Sequence, residues 1–265
     1  MTTRRSFLAT TGVAVLAAAC GSSTKERAAP EETKTFVLLH GAWHGGWCWK
    51  RVEERLRAAG HHVYTPTQTG LGERSHLLSK EITLDVFIDD LVNVLEWEDL
   101  TDVVLVGHSF GGIVTSGAAD RASDRIRQLI YLDSLIIQNG QTVFSTMPPQ
   151  TVADRRRLAQ ESTGGLAIPV PDTSFFGVTD ADDAAWLKAK CTPHPLSTYE
   201  SPLTLQAPVG HGLPTAYIAV KPEFAPAAGA RAFAKQQKWK YVEIDAGHDA
   251  MVTSPKALAD TLLSL

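Results

Sequence analysis

Along most of the chain, apolar residues come in short unbroken runs, separated by longer stretches in which they recur every three or four positions. The runs cover 35–41 (TFVLLHG), 61–67 (HHVYTPT), 102–107 (DVVLVG), 128–134 (QLIYLDS), 215–220 (TAYIAV) and 240–245 (KYVEID). They are rich in Val, Ile, Leu and Tyr, and most lack the alternation of a half-solvated strand. Continuous runs of this length predict strands covered on both faces. Between them, residues 49–60 (WKRVEERLRAAG) set Val52 and Leu56 four apart and stop at Gly60. Residues 83–97 put Leu84, Ile88, Leu91 and Leu95 on one helical stripe. A helix of small residues is predicted over 111–122, and a last one over 254–265 with Pro255 in its first turn. Strands alternating with helices predict an α/β fold, a mostly parallel sheet flanked by crossover helices.

One segment breaks the alternation. Residues 138–214 contain MPPQ, IPVPD, TPHPL and APVGHGLP and no clear strand, with short helices predicted at 149–161 and 180–190. An irregular insertion of this length is usually functional. It reads as a cap over the C-terminal edge of the sheet, because strands and helices that the sheet needs come after it.

The N-terminus has a different pattern. MTTRRSFLATTGVAVLAAAC opens with an arginine pair, continues as an apolar run and ends in small residues before Cys20. That is the layout of an export signal, and the run is shorter than the roughly 20 residues that span a bilayer. Arg4 and Arg5 followed by Ser6, Phe7 and Leu8 resemble a twin-arginine signal. LAAAC resembles a bacterial lipoprotein box, which would make Cys20 the lipid-bearing first residue. Residues 21–33 (GSSTKERAAPEET) are polar and aperiodic and read as a tether. The domain is therefore expected over 34–265. The protein is expected outside the cytoplasm, anchored by lipid on the outer face of a bacterial membrane, or else secreted or periplasmic.

A formal net charge of −4 points to neither a nucleic-acid partner nor a polybasic membrane patch. Of the three cysteines only Cys48 and Cys191 fall in the domain. Export permits a disulfide, but a twin-arginine substrate folds before it meets oxidant, so two free buried thiols are expected. No Cys/His spacing resembles a zinc site. No metal and no cofactor is expected.

The third run ends in Gly107-His108-Ser109-Phe110-Gly111, a G-x-S-x-G pattern between a buried strand and a small-residue helix. A sharp strand-to-helix turn strains the serine backbone, and flanking glycines remove the Cβ atoms that would collide there. The helix N-terminus leaves free N–H groups beside the hydroxyl, suited to an oxyanion. Ser109 is thus the candidate nucleophile. Its base is His248, after the last strand and before the last helix. The backbone N–H groups of Ala42 and Phe110 are the expected oxyanion donors, and His40 a residue that helps hold the first of these loops. The acid should follow the strand before the histidine strand, which offers Glu223; Asp133, one strand earlier, is the alternative. Trp43, Phe175, Phe176, Trp186 and Leu213 are candidate substrate contacts under the cap.

FVLLHGAWHGGWCWKRV, GHSFGG and AGHDAMV together resemble the α/β-hydrolase family of plant methyl-salicylate-type esterases and hydroxynitrile lyases, with its bacterial esterase relatives. The resemblance runs through nearly all of 34–265. It implies the α/β-hydrolase fold, Ser109 and His248 as catalytic residues, Ala42 and Phe110 as oxyanion donors, and an acid at Glu223 where relatives usually carry Asp. Lyases of the family use a lysine directly after the catalytic histidine, and here that residue is Asp249. The expected function is that of a serine carboxylic-ester hydrolase acting on a small to medium, apolar or aromatic ester. A ligand-binding lipoprotein of the same fold and a hydroxynitrile lyase are the alternatives.

Overall fold

In the computed structural model of the protein, residues 1–2 and 32–265 are described. The readings placed on residues 3–31, the signal and Cys20 among them, lie outside the described residues.

Among the described residues there are eight strands: β1 (Thr35–Leu39), β2 (His62–Tyr64), β3 (Val103–His108), β4 (Ile126–Leu132), β5 (Ala167–Ile168), β6 (His194–Pro195), β7 (Thr215–Lys221) and β8 (Lys240–Asp245). The helices are α1 (Lys50–Ala58), α2 (Leu84–Trp97), α3 (Gly111–Arg121), α4 (Pro149–Thr163), α5 (Ala181–Lys190), α6 (Ser197–Glu200), α7 (Ala228–Gln236), α8 (Ala250–Thr253) and α9 (Pro255–Ser264). Six strands form one sheet in the order β2-β1-β3-β4-β7-β8, and every pairing in it is parallel. All six residues of β3 are buried, as its unbroken apolar run requires of a strand covered on both faces. Helix α1 packs on α9, and α2 on α3. The stripe Leu84, Ile88, Leu91 and Leu95 is buried, so α2 presents its apolar face inward as its period demands.

The second strand is shorter than its apolar run, because β2 is an edge strand paired only with β1. Two other runs outlast their strands, since His40–Gly41 and Asp133–Ser134 leave the sheet to turn.

Register decides where the chemistry gathers. Leu39 lies beside Gly107, His108 beside Leu132, and Leu132 beside Ile218. The carboxyl ends of β1, β3 and β4 are therefore level, and the residues just beyond them share one edge. The strand order also reverses between β1 and β3, which opens a crevice at that edge.

Between β4 and β7 the chain builds α4, β5, α5, β6 and α6. The predicted helices are there; β5 and β6 form a two-residue antiparallel pair, too short to show in the sequence. The segment seats directly on the loop before α8. Asp249 N–H donates to the Phe176 carbonyl at 3.0 Å, and a Cβ on Gly247 would lie 2.4 Å from the Gly177 carbonyl oxygen. Further along, the chain returns to the opposite edge: Asp120 accepts from the amides of Gln206 and Ala207, each at 2.9 Å. Cys48 and Cys191 are free thiols. Among the described residues no helix is long and apolar enough to cross a membrane.

Candidate active site

Ser109 occupies the turn between β3 and α3 with φ 52°. Such a conformation costs a non-glycine residue energy and persists only where its surroundings fix it. Here Ser109 N–H donates to Leu132 O at 3.1 Å, and its carbonyl accepts from Gly112 at 3.1 Å and from Leu135 at 2.9 Å. The glycines expected around the serine are sterically required. A Cβ on Gly111 would sit 2.5 Å from His40 O, and one on Gly41 would meet Ser109 Cβ at 2.9 Å. The loop after β1 is thus pressed against the serine. Among the described residues, neither the Ala42 nor the Phe110 amide donates a hydrogen bond within the protein.

The His248 imidazole spans the remaining distance. Its Nε2 is 2.9 Å from Ser109 Oγ, and its Nδ1 is 2.7 Å from Asp133 Oδ2. With Nδ1–H donating to the carboxylate, Nε2 is left as the acceptor for the serine hydroxyl. Phe224 stacks on the imidazole at 3.6 Å between centroids, and His108 Nε2–H donates to the His248 carbonyl at 3.0 Å from below.

The carboxylate expected at Glu223 is not at the imidazole. That side chain is 58% exposed, with Arg231 Nη1 at 4.0 Å as its ionic neighbour. Phe224, the next residue, turns in against the ring instead. Asp133 takes the place beside Nδ1, from the end of β4 and at φ 40°. It is fully buried and held on three sides: its N–H donates to Ile218 O at 2.7 Å, Oδ2 meets His248, and Oδ1 accepts from Arg231 Nη2 at 2.6 Å. The hint in the sequence was an acidic residue closing an otherwise apolar strand, which has no reason to be buried without partners. Arg231 carried no such hint, since it lies about a hundred residues away on α7.

Two further buried networks hold the loop after β1. His40 Nε2 accepts from Gln68 N–H at 3.1 Å and Nδ1–H donates to Gly41 O at 2.8 Å. Burial lowers its pKa to about 3. His44 bonds Ala42 O at 2.8 Å and Asp249 Oδ2 at 3.0 Å. Burial opposes charge on His44, but the Asp249 carboxylate overrides it and raises the imidazole's pKa well above its ordinary value. Burial likewise opposes the charge on Asp249, and His44 reverses that too. Only the fold reveals that the partner of His44 is the residue after His248.

The candidate substrate contacts divide. Trp43 and Phe175 line a cavity of about 380 Å³ against α4. Phe176 is buried behind them, 5.1 Å from the His44 ring. Trp186 packs on Trp47 at 5.1 Å and under Arg51 at 4.9 Å, away from that cavity. Leu213 lies just before β7 begins, at the amino end of a strand whose carboxyl end faces the site. Seven residues of strand at about 3.3 Å each separate it from that edge, so it does not roof the pocket. A larger cavity of about 450 Å³ runs from Leu135 and Ile136 to Met147 and Pro148 on one side and to Ala225 and Pro226 on the other. His108, His248 and Asp249 offer ligand atoms within 4.8 Å of one another. Both ring nitrogens of His248 are engaged by Asp133 and Ser109, so a cation there would displace one of those contacts.

A hydroxyl on a strained turn, an imidazole bonded to it, a buried carboxylate behind the imidazole and amides open beside the serine can together carry out acyl transfer. Residues 36–261 match the model of the alpha/beta hydrolase family, and the chain belongs to that family. It is 39% identical over 242 residues to a carbendazim hydrolyzing esterase of Nocardioides sp., a match covering 87% of this chain and 98% of that one. It is 28% identical over 256 residues to Methylesterase 10 of Arabidopsis thaliana, covering 86% and 90% respectively. Among solved structures, an extracellular alpha/beta-hydrolase from a Paenibacillus species superposes with a TM-score of 0.75 at 24% identity, over 87% of this chain and 98% of that one. The protein is a carboxylic-ester hydrolase.

Proposed function

We propose that the protein cleaves small to medium carboxylic esters with an apolar or aromatic portion, through an acyl-enzyme on Ser109. As Oγ attacks the ester carbonyl, its proton passes to His248 Nε2. The oxyanion of the tetrahedral intermediate faces the N–H groups of Ala42 and Phe110, each such donor being worth about 3–4 kcal/mol of barrier. Collapse breaks the ester bond, and His248 returns the proton to the departing alcohol. Water, giving a proton to the same nitrogen, then attacks the acyl group, and collapse of the second intermediate frees the acid and restores Ser109. Asp133 accepts from Nδ1–H throughout, fixing the tautomer and stabilising the imidazolium. Arg231 holds Asp133 in place.

The observation that carries this reading is the continuous contact from Ser109 Oγ through both nitrogens of His248 to Asp133, at 2.9 and 2.7 Å. The apolar walls of the larger cavity support an apolar portion in the substrate. The relatives named for methylesterase and for carbendazim hydrolysis make methyl esters and methyl carbamates the first compounds to try. Asp249 stands where the family's lyases carry lysine. Its carboxylate is paired with His44, so that position carries a negative charge where a cyanide leaving group would need a positive one. For location, the arginine pair, the short apolar run and LAAAC support export and a lipid on Cys20.

A panel of methyl and para-nitrophenyl esters tests the mechanism. The protein is expected to give a burst of nitrophenol from para-nitrophenyl acetate, and Ser109→Ala to abolish it. Ligand binding without a burst would sink the proposal, as would a burst that survives the serine variant.

A further inference from the structure

Arg155, on the inner side of α4, is the one arginine among the described residues that makes neither a hydrogen bond nor an ion pair. Every other one donates to a carboxylate or a backbone carbonyl, as Arg156 does to Glu200 at 2.9 Å and Arg51 to Asp183 at 2.6 Å. The guanidinium of Arg155 lies between two aromatic rings instead. Its carbon is 5.6 Å from the Trp43 ring centroid and 5.4 Å from that of Tyr199. Its Nε is buried with no partner. The neighbouring acid, Asp154, is turned to Gln150 at 3.3 Å and Arg157 at 3.9 Å.

Arg155 also lines both cavities that border the candidate active site. The larger one begins at Leu135, whose N–H bonds the Ser109 carbonyl. It continues to Ala225, next to the phenylalanine stacked on His248. The smaller one is walled by Trp43, which follows the expected oxyanion donor Ala42. The walls around the guanidinium are mostly apolar.

Stacking on rings satisfies the faces of a guanidinium and leaves its N–H edge unused. A cation drawn partly out of water without a counter-charge is costly. A planar carboxylate presented to that edge offsets the cost through two parallel charge-assisted hydrogen bonds, which a neutral acceptor matches only in part. We infer that Arg155 is a substrate-binding residue that receives a carboxylate carried on the ester at a distance from the scissile carbonyl, so that the preferred substrates are half-esters of apolar dicarboxylic acids. This inference rests on the hydrolase reading above and deepens it.

The test compares para-nitrophenyl half-esters of adipate and suberate with uncharged para-nitrophenyl alkanoates of equal chain length. The protein is expected to favour the half-ester in kcat/KM at one of the two lengths. Arg155→Met should reduce that preference by about 10- to 100-fold, mostly through KM, as loss of a hydrogen bond to a charged group predicts. Arg155→Lys should retain part of it. A second arm measures calorimetric binding of monomethyl adipate and monomethyl suberate to Ser109→Ala, with and without Arg155→Met. Arg155-dependent binding in this arm, together with no turnover of any ester by the unsubstituted protein, would refute the hydrolase reading and keep the assignment of Arg155. Turnover with no preference at either length, or a loss on Arg155→Met that is equal for charged and uncharged esters, would overturn the assignment and keep the hydrolase.

Discussion

Arg231 and Asp133 meet at 2.6 Å inside the fold, with side chains 6% and 0% exposed. The same arginine nitrogen also donates to Val220 O at 3.1 Å, so α7 fixes the carboxylate from the side opposite His248. Removing the arginine leaves a buried carboxylate with one partner fewer. Arg231→Met should therefore cost about 3–5 kcal/mol of stability, read from urea unfolding. A loss below about 1 kcal/mol would mean that water can replace the guanidinium.

The two acids separate in kinetics. Asp133→Asn keeps the shape but favours the wrong imidazole tautomer, and kcat should drop about 10⁴-fold. Glu223→Gln alters an exposed group whose ionic contact is long, and such contacts contribute about 0–1 kcal/mol. Turnover of para-nitrophenyl acetate by the two variants should differ by at least a hundredfold. Equal losses would contradict the placement of Asp133 behind His248.

Stability should peak near the ordinary histidine pKa. His40, His108 and His194 are buried, and burial lowers the pKa of each; His40 goes to about 3. In the unfolded chain each takes up a proton near pH 6.5. Acidification below that point favours unfolding by about 1.4 kcal/mol per pH unit for each histidine, until the folded form also protonates. His44 works the other way. Its pKa is raised in the fold, so its contribution is complete below about pH 6.5 and is lost as pH climbs through the folded value. Thermal midpoints across pH should show both limbs, and the pair His44→Gln with Asp249→Asn should flatten the alkaline one. A midpoint that keeps rising well above neutrality would contradict the charged pair.

Export can be checked without the active site. The full chain expressed in a bacterium should incorporate radiolabelled palmitate and fractionate with membranes, and Cys20→Ala should lose the label. Label retained by that variant would show that the lipid is attached elsewhere or not through the proposed box.

Local pattern was enough for the alternation of strands and helices, for a strained serine between glycines and for a histidine in the last loop. Each of these is written in a short window, because burial on both faces, a tight turn and a helix start restrict residue type within a few positions. Partnerships between distant segments are not written that way. Glu223 sits where chain order expects an acid, yet the chain beyond β7 turns Phe224 toward the imidazole and leaves Glu223 in solvent. Asp133 reaches the site because β3 and β4 are level at their carboxyl ends, and because Arg231 is folded against it from α7. Leu213 shows the same limit: it is as apolar as a pocket residue, but it lies at the wrong end of its strand. Composition and period constrain the backbone locally, whereas the choice of acid, the pairing of His44 with Asp249 and the isolation of Arg155 depend on which side chains the folded chain brings together away from water.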